Sequence, residues 1–293
     1  ILILKSHCVD YGHDILQDIY ITGAKIKIID DYSVSSLTSL ENSIDDSICG
    51  ALFVVSHHCN KNGKISFDEF YKVLSKYKVP ILVDLAAEYN LKRYHDLGAD
   101  ITIHSSHKFI GGPTAGIVSG KKIHIRSAYL QNYGICRPMK IGKESIVGAL
   151  VALKTWIHMN HTKREKDEKI KLDRLFSEIA KYNGLIPSYS KDPTGNPFQR
   201  VEVFVDEQKC PYNIYQILWY FTESSPQIAV RQHEIRNNKF ILDVRSSSDQ
   251  DIDYLIIKLS SLYNDNLTIP KLFNYDDYQI YNNKNINSWP EIH

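Results

Sequence analysis

Two apolar runs in the first third of the chain each end on chemistry, and that pattern leaves few folds open. Residues 78–84 (Lys-Val-Pro-Ile-Leu-Val-Asp) read as a buried strand ending on Asp84. Residues 99–104 read as a second strand, which runs into Ser105, Ser106, His107 and Lys108 and then a glycine turn at Gly111–Gly112. Apolar runs of this kind are strands of a parallel sheet covered on both faces. Such strands deliver their last residues to one edge, the carboxyl edge, where ligands bind. An acid and a lysine are therefore expected at one pocket.

The surrounding signals alternate. Strands are expected at 1–4, 25–29, 51–55, 79–84, 100–104 and 116–119, and helices at 15–22, 67–77 and 88–97. That order implies an α/β fold, a mostly parallel sheet with helices on both faces. A helical stretch begins at 144–156 and resumes at 163–182, capped by Asn183–Gly184. The last third reads as α+β, with strands at 200–205, 228–231 and 240–245 and helices at 213–221 and 252–263. A chain of 293 residues holds two packed units on this reading, 1–150 and 151–293.

Lysine, acid, serine, histidine and glycine turn together are the equipment for pyridoxal phosphate. Lys108 would form the Schiff base, and Asp84 would keep the pyridine nitrogen protonated. Ser105 and His107, with nearby backbone N–H groups, would take the phosphate. Each residue also has a plainer reading. Asp84 suits a helix N-cap, and Ser105 and His107 suit turn caps. His57 and His58 close a strand, either at the ring and substrate or merely hydrogen-bonded. Ala86 is small where a flat ring would lie. Arg137, Lys140 and Lys143 form a basic cluster suited to a substrate phosphate, with Lys5 and His7 as possible additions, or to a helix start or subunit contact.

The run Asp84-Leu-Ala-Ala-Glu88, then Leu97-Gly-Ala-Asp100, then residues 105–116 resembles the fold-type I pyridoxal-phosphate enzymes. Within them it resembles the branch containing bacterial selenocysteine synthase and D-glucosaminate-6-phosphate ammonia-lyase. Residues 5–12, Ser56-His57-His58 and residues 137–144 look like motifs of the ammonia-lyase group. The likeness runs from residue 1 to 153, is patchy to 223 and returns over 226–262. It implies an aspartate aminotransferase-like large domain with a smaller C-terminal α+β domain. It also implies Lys108 and Asp84 as catalytic residues, with Ser105, His107, Ala86, His58 and Gly112 at the cofactor. Arg245 resembles the clamp for the substrate carboxylate, and Arg231 is the reserve. Arg137, Lys140, His57 and His7 are carried as substrate contacts. The reaction implied is α,β-elimination of ammonia from a hydroxylated, sugar-derived amino acid to a 2-keto acid, in a homodimer or larger assembly. The family has a further segment before this point that helps seat the cofactor phosphate, so the chain is expected to be N-terminally incomplete.

Composition narrows the alternatives. A net charge of +1 and the mixed-sign run 163–169 argue against a broad nucleic-acid surface, and with it against a selenium transferase acting on seryl-tRNA. No apolar run reaches membrane-spanning length. Five cysteines without Cys-x-x-Cys spacing read as reduced thiols in a cytoplasmic protein, with no metal site. Residues 58–69 mimic a calcium loop, but His58 stands in the first ligand position and neutral Asn60 and Asn62 follow, a poor donor set for a hard cation. A cofactor-free remnant serving as an interaction subunit is the alternative outside enzymes.

Overall fold

A computed structural model of the chain describes residues 1–33, 36–59, 64–264, 268–270 and 274–287, with side chains up to residue 281. It divides into two compact units, Ile1–Met159 with Pro193–Asn196, and Asn160–Asp192 with Pro197–His293.

The first unit opens with β1 (Leu2–Leu4), α1 (Ile15–Tyr20), β2 (Lys27–Ile29), α2 (Ser36–Asn42) and β3 (Ala51–Val54). It continues with α3 (Phe67–Leu74), β4 (Ile81–Asp84), α4 (Arg93–Asp96), β5 (Ile101–Ser105), β6 (Gly116–Gly120), α5 (Lys122–Leu130) and α6 (Lys143–His158). The sheet order is β2-β1-β3-β4-β5-β6, parallel except for β6, which returns antiparallel beside β5. Side chains alternate across a strand, and here each set has its own core. Leu2, Leu4, Ala51, Phe53, Ile81 and Val83 pack with residues of α2, α3 and α4. Ile3, Leu52 and Val54 pack on the opposite face with Ile19 of α1, and Leu82 packs against them. Both faces are covered, which is why these strands read as unbroken apolar runs.

The helix expected at 88–97 forms only as α4. Asn90 Oδ1 accepts the N–H groups of Lys92 and Arg93, so the polypeptide ahead of α4 turns instead of coiling. In the calcium-like run, residues 60–63 lie outside the described residues. Glu69 accepts the Ser66 N–H and hydroxyl at 2.8 and 2.7 Å in a capping box that starts α3.

The second unit contains α7 (His161–Ile179), β7 (Leu185–Lys191), β8 (Gln199–Val205), α8 (Ile214–Glu223), β9 (Lys239–Leu242), α9 (Asp249–Asn264) and α10 (Tyr275–Asn287). Its sheet is antiparallel, in the order β7-β8-β9. Val201, Val203 and Val205 alternate toward a core shared with Leu175, Ile217, Phe221 and Leu259. The strand expected at 228–231 reduces to one bridge, Arg231 with Ile241.

Candidate active site

The parallel register brings the predicted acid and lysine to one edge. Val54 pairs with Asp84, and Asp84 with Ile103, so Ser105 lies just beyond on the neighbouring strand. Asp84 is half-buried, and its Oδ1 accepts the Ala86 N–H at 3.1 Å. Burial pushes its carboxyl up, while that hydrogen bond and the Lys108 ammonium pull it down; burial wins.

Lys108 sits in the loop between β5 and β6, closed at its base where the Ser106 N–H donates to Ala115 O at 2.9 Å. Lys108 and His107 are exposed and Ser105 is half-buried. Among the described residues no hydrogen bond or ion pair engages these three side chains. The flanking residues face away from solvent. His104 is 4% exposed and Ser106 fully buried, and His104 Nε2 and Ser106 Oγ have no hydrogen-bond partner among the described residues. Gly112 is needed for close approach, since a Cβ there would meet Ser106 Oγ at 2.3 Å and the Ala152 Cβ at 3.0 Å.

The same edge gathers residues that sequence reasoning passed over. Tyr11 belongs to the tight loop after β1, where Gly12 takes φ +88° and donates to Asp10 Oδ1 at 2.7 Å. Its ring lies 5.8 Å from that of His58, and burial, with the nearby Cys59 and Asp84, pushes its phenol up against the pull of Ser56. The His57 and His58 rings are 3.9 Å apart, both exposed. Asn196 secures the stretch after Asp84, its Oδ1 accepting the Tyr89 N–H at 2.9 Å and its Nδ2 donating to Ala87 O at 3.2 Å. Tyr11 and Ser56 had a faint signal, lying inside the motifs at 5–12 and 56–58. Asn196, more than a hundred positions from Tyr89, had none.

Other expected residues sit differently. His7 is 2% exposed; its Nδ1 accepts the Val54 N–H at 3.1 Å and its ring stands edge-on to Phe53 at 4.4 Å. It is a core residue, held neutral by burial with a pKa near 4. Arg137 and Lys140 are exposed in and beside a short 3-10 turn, and neither is in an ion pair with a described residue. In the second unit, Arg245 Nε and Nη2 grip Asp243 at 2.7 and 2.5 Å, and Arg200 binds Asp243 and Asp192 at 3.0 and 3.1 Å. Burial would raise Asp243, but the two arginines hold it near 2. Arg231 is half-buried nearby, and its guanidinium has no carboxylate partner among the described residues; burial and then Arg200 lower its pKa. Among the described residues no group of three His, Cys, Asp or Glu side chains could hold a metal ion.

Comparison with known proteins gives this geometry a lineage. Residues 75–181 match the family model described as SelA: L-seryl-tRNA selenium transferase. The chain is 28% identical over 262 residues to D-glucosaminate-6-phosphate ammonia lyase of Salmonella typhimurium (strain 14028s / SGSC 2262), covering 89% of this chain and 70% of the relative. It is 24% identical over 265 residues to 5'-C-glycyluridine monooxygenase-decarboxylase of a Streptomyces species, covering 89% of this chain and 66% of the relative. A solved structure of D-glucosaminate-6-phosphate ammonia-lyase superposes with a TM-score of 0.76 at 28% identity, over 89% of this chain and 70% of that one. The serine palmitoyltransferase of Sphingomonas wittichii shares the fold, with a TM-score of 0.53 at 14% identity over 89% of this chain and 65% of that one. The chain thus spans about two thirds of the length of these relatives.

The fold is that of the fold-type I pyridoxal-phosphate proteins, a mostly parallel sheet with helices and a second, small sheet domain. Within that class, the chain is similar to selenocysteine synthase and D-glucosaminate-6-phosphate ammonia-lyase. The donor set fits the cofactor of that class. A lysine amine without a partner among the described residues lies within electrostatic reach of a half-buried carboxylate, beside an unengaged serine hydroxyl and histidine ring.

Proposed function

We propose that this chain forms the catalytic core of a pyridoxal-phosphate-dependent ammonia-lyase acting on a hydroxylated, sugar-derived amino acid. The observation that carries this reading is the Asp84–Lys108 pair at the carboxyl edge, with Ala86 N–H fixing the acid. Pyridoxal phosphate, when bound, supplies a pyridinium ring that stabilises negative charge on the substrate Cα. Lys108 would hold the cofactor and would carry the Cα proton. Asp84 would hold the ring nitrogen, Ser105 and His107 would take the phosphate, and Ala86 would leave room for the ring. His58, braced by Tyr11, borders the pocket together with His57. Of the two arginines carried for the substrate carboxylate, Arg231 has no carboxylate partner among the described residues, whereas Arg245 is committed to Asp243, so Arg231 is the preferred candidate. The net reaction removes ammonia from a 2-amino-3-hydroxy acid and leaves the 2-keto-3-deoxy acid.

The assembly proposed is a homo-oligomer. α5, α6 and the turns between them leave Ile123, Tyr133, Met139, Val147, Leu150 and Val151 at 60% exposure or more, a face that a second copy would cover. No helix among the described residues is long and apolar enough to cross a membrane. The five free cysteines suit the cytoplasm, the compartment proposed here.

The test begins with pyridoxal phosphate added to the purified chain, followed by borohydride reduction and peptide mapping. A yellow product fixed on Lys108, and ammonia released from D-glucosaminate 6-phosphate, are the expected results. Colour fixed elsewhere, or none, overturns the cofactor reading. Colour without ammonia removes only the lyase assignment. Asp84→Asn should keep the label and lower turnover at least a hundredfold, roughly the worth of a general acid–base or electronic partner. The match over residues 75–181 supports a second reading, selenium transfer to a seryl-tRNA. Salt-sensitive tRNA binding would favour it.

A further inference from the structure

Lys5 and Lys64 converge on one aromatic ring. Lys5 Nζ lies 5.8 Å from the centroid of Tyr32, and the Lys64 ammonium lies over the same ring. Each cation is drawn to the ring face, yet the two repel one another. Neither is in an ion pair among the described residues; Lys64 Nζ donates to the carbonyl of Asp31 at 3.4 Å. The Asp31 carboxylate is fully buried and already accepts the Ser6 N–H at 3.0 Å and the Ser6 hydroxyl. Two like charges gathered over one ring, neither in an ion pair among the described residues, are relieved by an anion that binds between them.

The place of this pair gives it a function. Lys5 follows directly on β1, and β1 is separated from β4 by β3 alone. At a strand spacing of about 4.8 Å, Lys5 and Asp84 are roughly 10 Å apart along the carboxyl edge. Lys5 opens the short 3-10 turn that follows β1, at the same carboxyl edge where Asp84 ends β4. In an extended six-carbon 2-amino acid, a phosphate on the last carbon lies about 7 Å from Cα at ordinary bond lengths. That reach and the length of a lysine side chain are together of the order of the separation between the two strand ends.

We propose that Lys5 and Lys64, arranged about Tyr32, bind a phosphomonoester at the far end of the substrate. This deepens the reading of the site as one for sugar-derived amino acids and rests on it. Arg137 and Lys140, of the cluster the sequence offered for that phosphate, share no such ring among the described residues.

The test is calorimetric titration of the full chain, loaded with pyridoxal phosphate, with D-gluconate 6-phosphate and with D-gluconate. Neither ligand carries an amine, so neither reacts, and the cofactor already fills its own phosphate site. The phosphorylated ligand is expected to bind at least tenfold more tightly. Lys5→Gln and Lys64→Gln should each remove about tenfold of that affinity, the worth of one charge-assisted hydrogen bond, and leave gluconate binding unchanged. Lys64→Arg should retain it, and Arg137→Gln should have no effect. Equal affinity for the two ligands, no binding of either, or loss on Arg137→Gln with retention in the lysine variants would overturn the proposal. If the chain takes up no pyridoxal phosphate, the titration of the unloaded chain still reads the lysine pair through Lys5→Gln and Lys64→Gln, though no longer through the preference for the phosphorylated ligand alone. Failure of the cofactor reading is thereby separated from failure of this one.

Discussion

Ser106 and Gly112 are coupled across the base of the Lys108 loop. The Gly112 N–H donates to Ser106 O at 2.8 Å, and the space a Gly112 side chain would need is filled by Ser106 Oγ and Ala152. Gly112→Ala should therefore cost about 1–3 kcal/mol through overpacking. Ser106→Ala removes a buried hydroxyl that makes no hydrogen bond among the described residues, and should be neutral or slightly stabilising. The double variant should recover part of the Gly112→Ala loss, a non-additivity that denaturant melts of the four proteins would read. Equal losses with and without Ser106 would disprove the coupling. That Asp84 and the Lys108 loop share one sheet edge was legible because strand ends announce themselves by an apolar run and its abrupt stop. The burial of His7 was not legible, because a polar residue after a strand is as readily turned inward onto a backbone N–H as outward to a ligand.

At the level of elements, the alternation of the first unit was legible wherever a segment buried one clear stripe. α3, with Phe67, Phe70, Val73 and Leu74 buried behind a capping box, is such a case. β7 was not anticipated, since Pro187 interrupts it and its residues are largely polar. As an edge strand of a three-stranded sheet it tolerates both. α5 escaped notice because none of its residues is buried. α6 buries only Ala149 and Trp156 and leaves Val147, Leu150 and Val151 at about 60% exposure. A helix so apolar on its open side needs a cover. Leu150→Glu should lower the mass of the particle in light scattering behind size-exclusion chromatography, with little change in helical content. An unchanged mass would remove α6 from the subunit contact.

For the whole molecule, acid is the predicted weakness. His7 and His104 both have pKa values near 4, lowered chiefly by burial; Asp31 partly opposes this at His7, and His95 adds to it at His104. Their folded values lie below the usual 6.5, so between these limits the unfolded chain binds more protons than the native one. Stability is then full above about pH 6.5 and falls as pH drops toward 4, by up to about 3 kcal/mol for each histidine. Asp84, raised by burial, titrates in the opposite sense and softens the lower end of that window. Urea midpoints across this range should fall with pH, and His104→Asn should flatten the slope. Midpoints that do not move would show that these rings protonate freely in the folded state.

Asp84 and Lys108 are 24 positions apart, and they reach one edge of the sheet because β4 and β5 lie side by side. In an unfolded chain this lysine is one amine among many, with nothing to set it apart. Its place at that edge is acquired when two strands joined by a crossover find their register, a non-local event and hence a slow one. Under the proposed reading the lysine therefore keeps time: the moment it alone is labelled through pyridoxal phosphate would date the closing of the sheet.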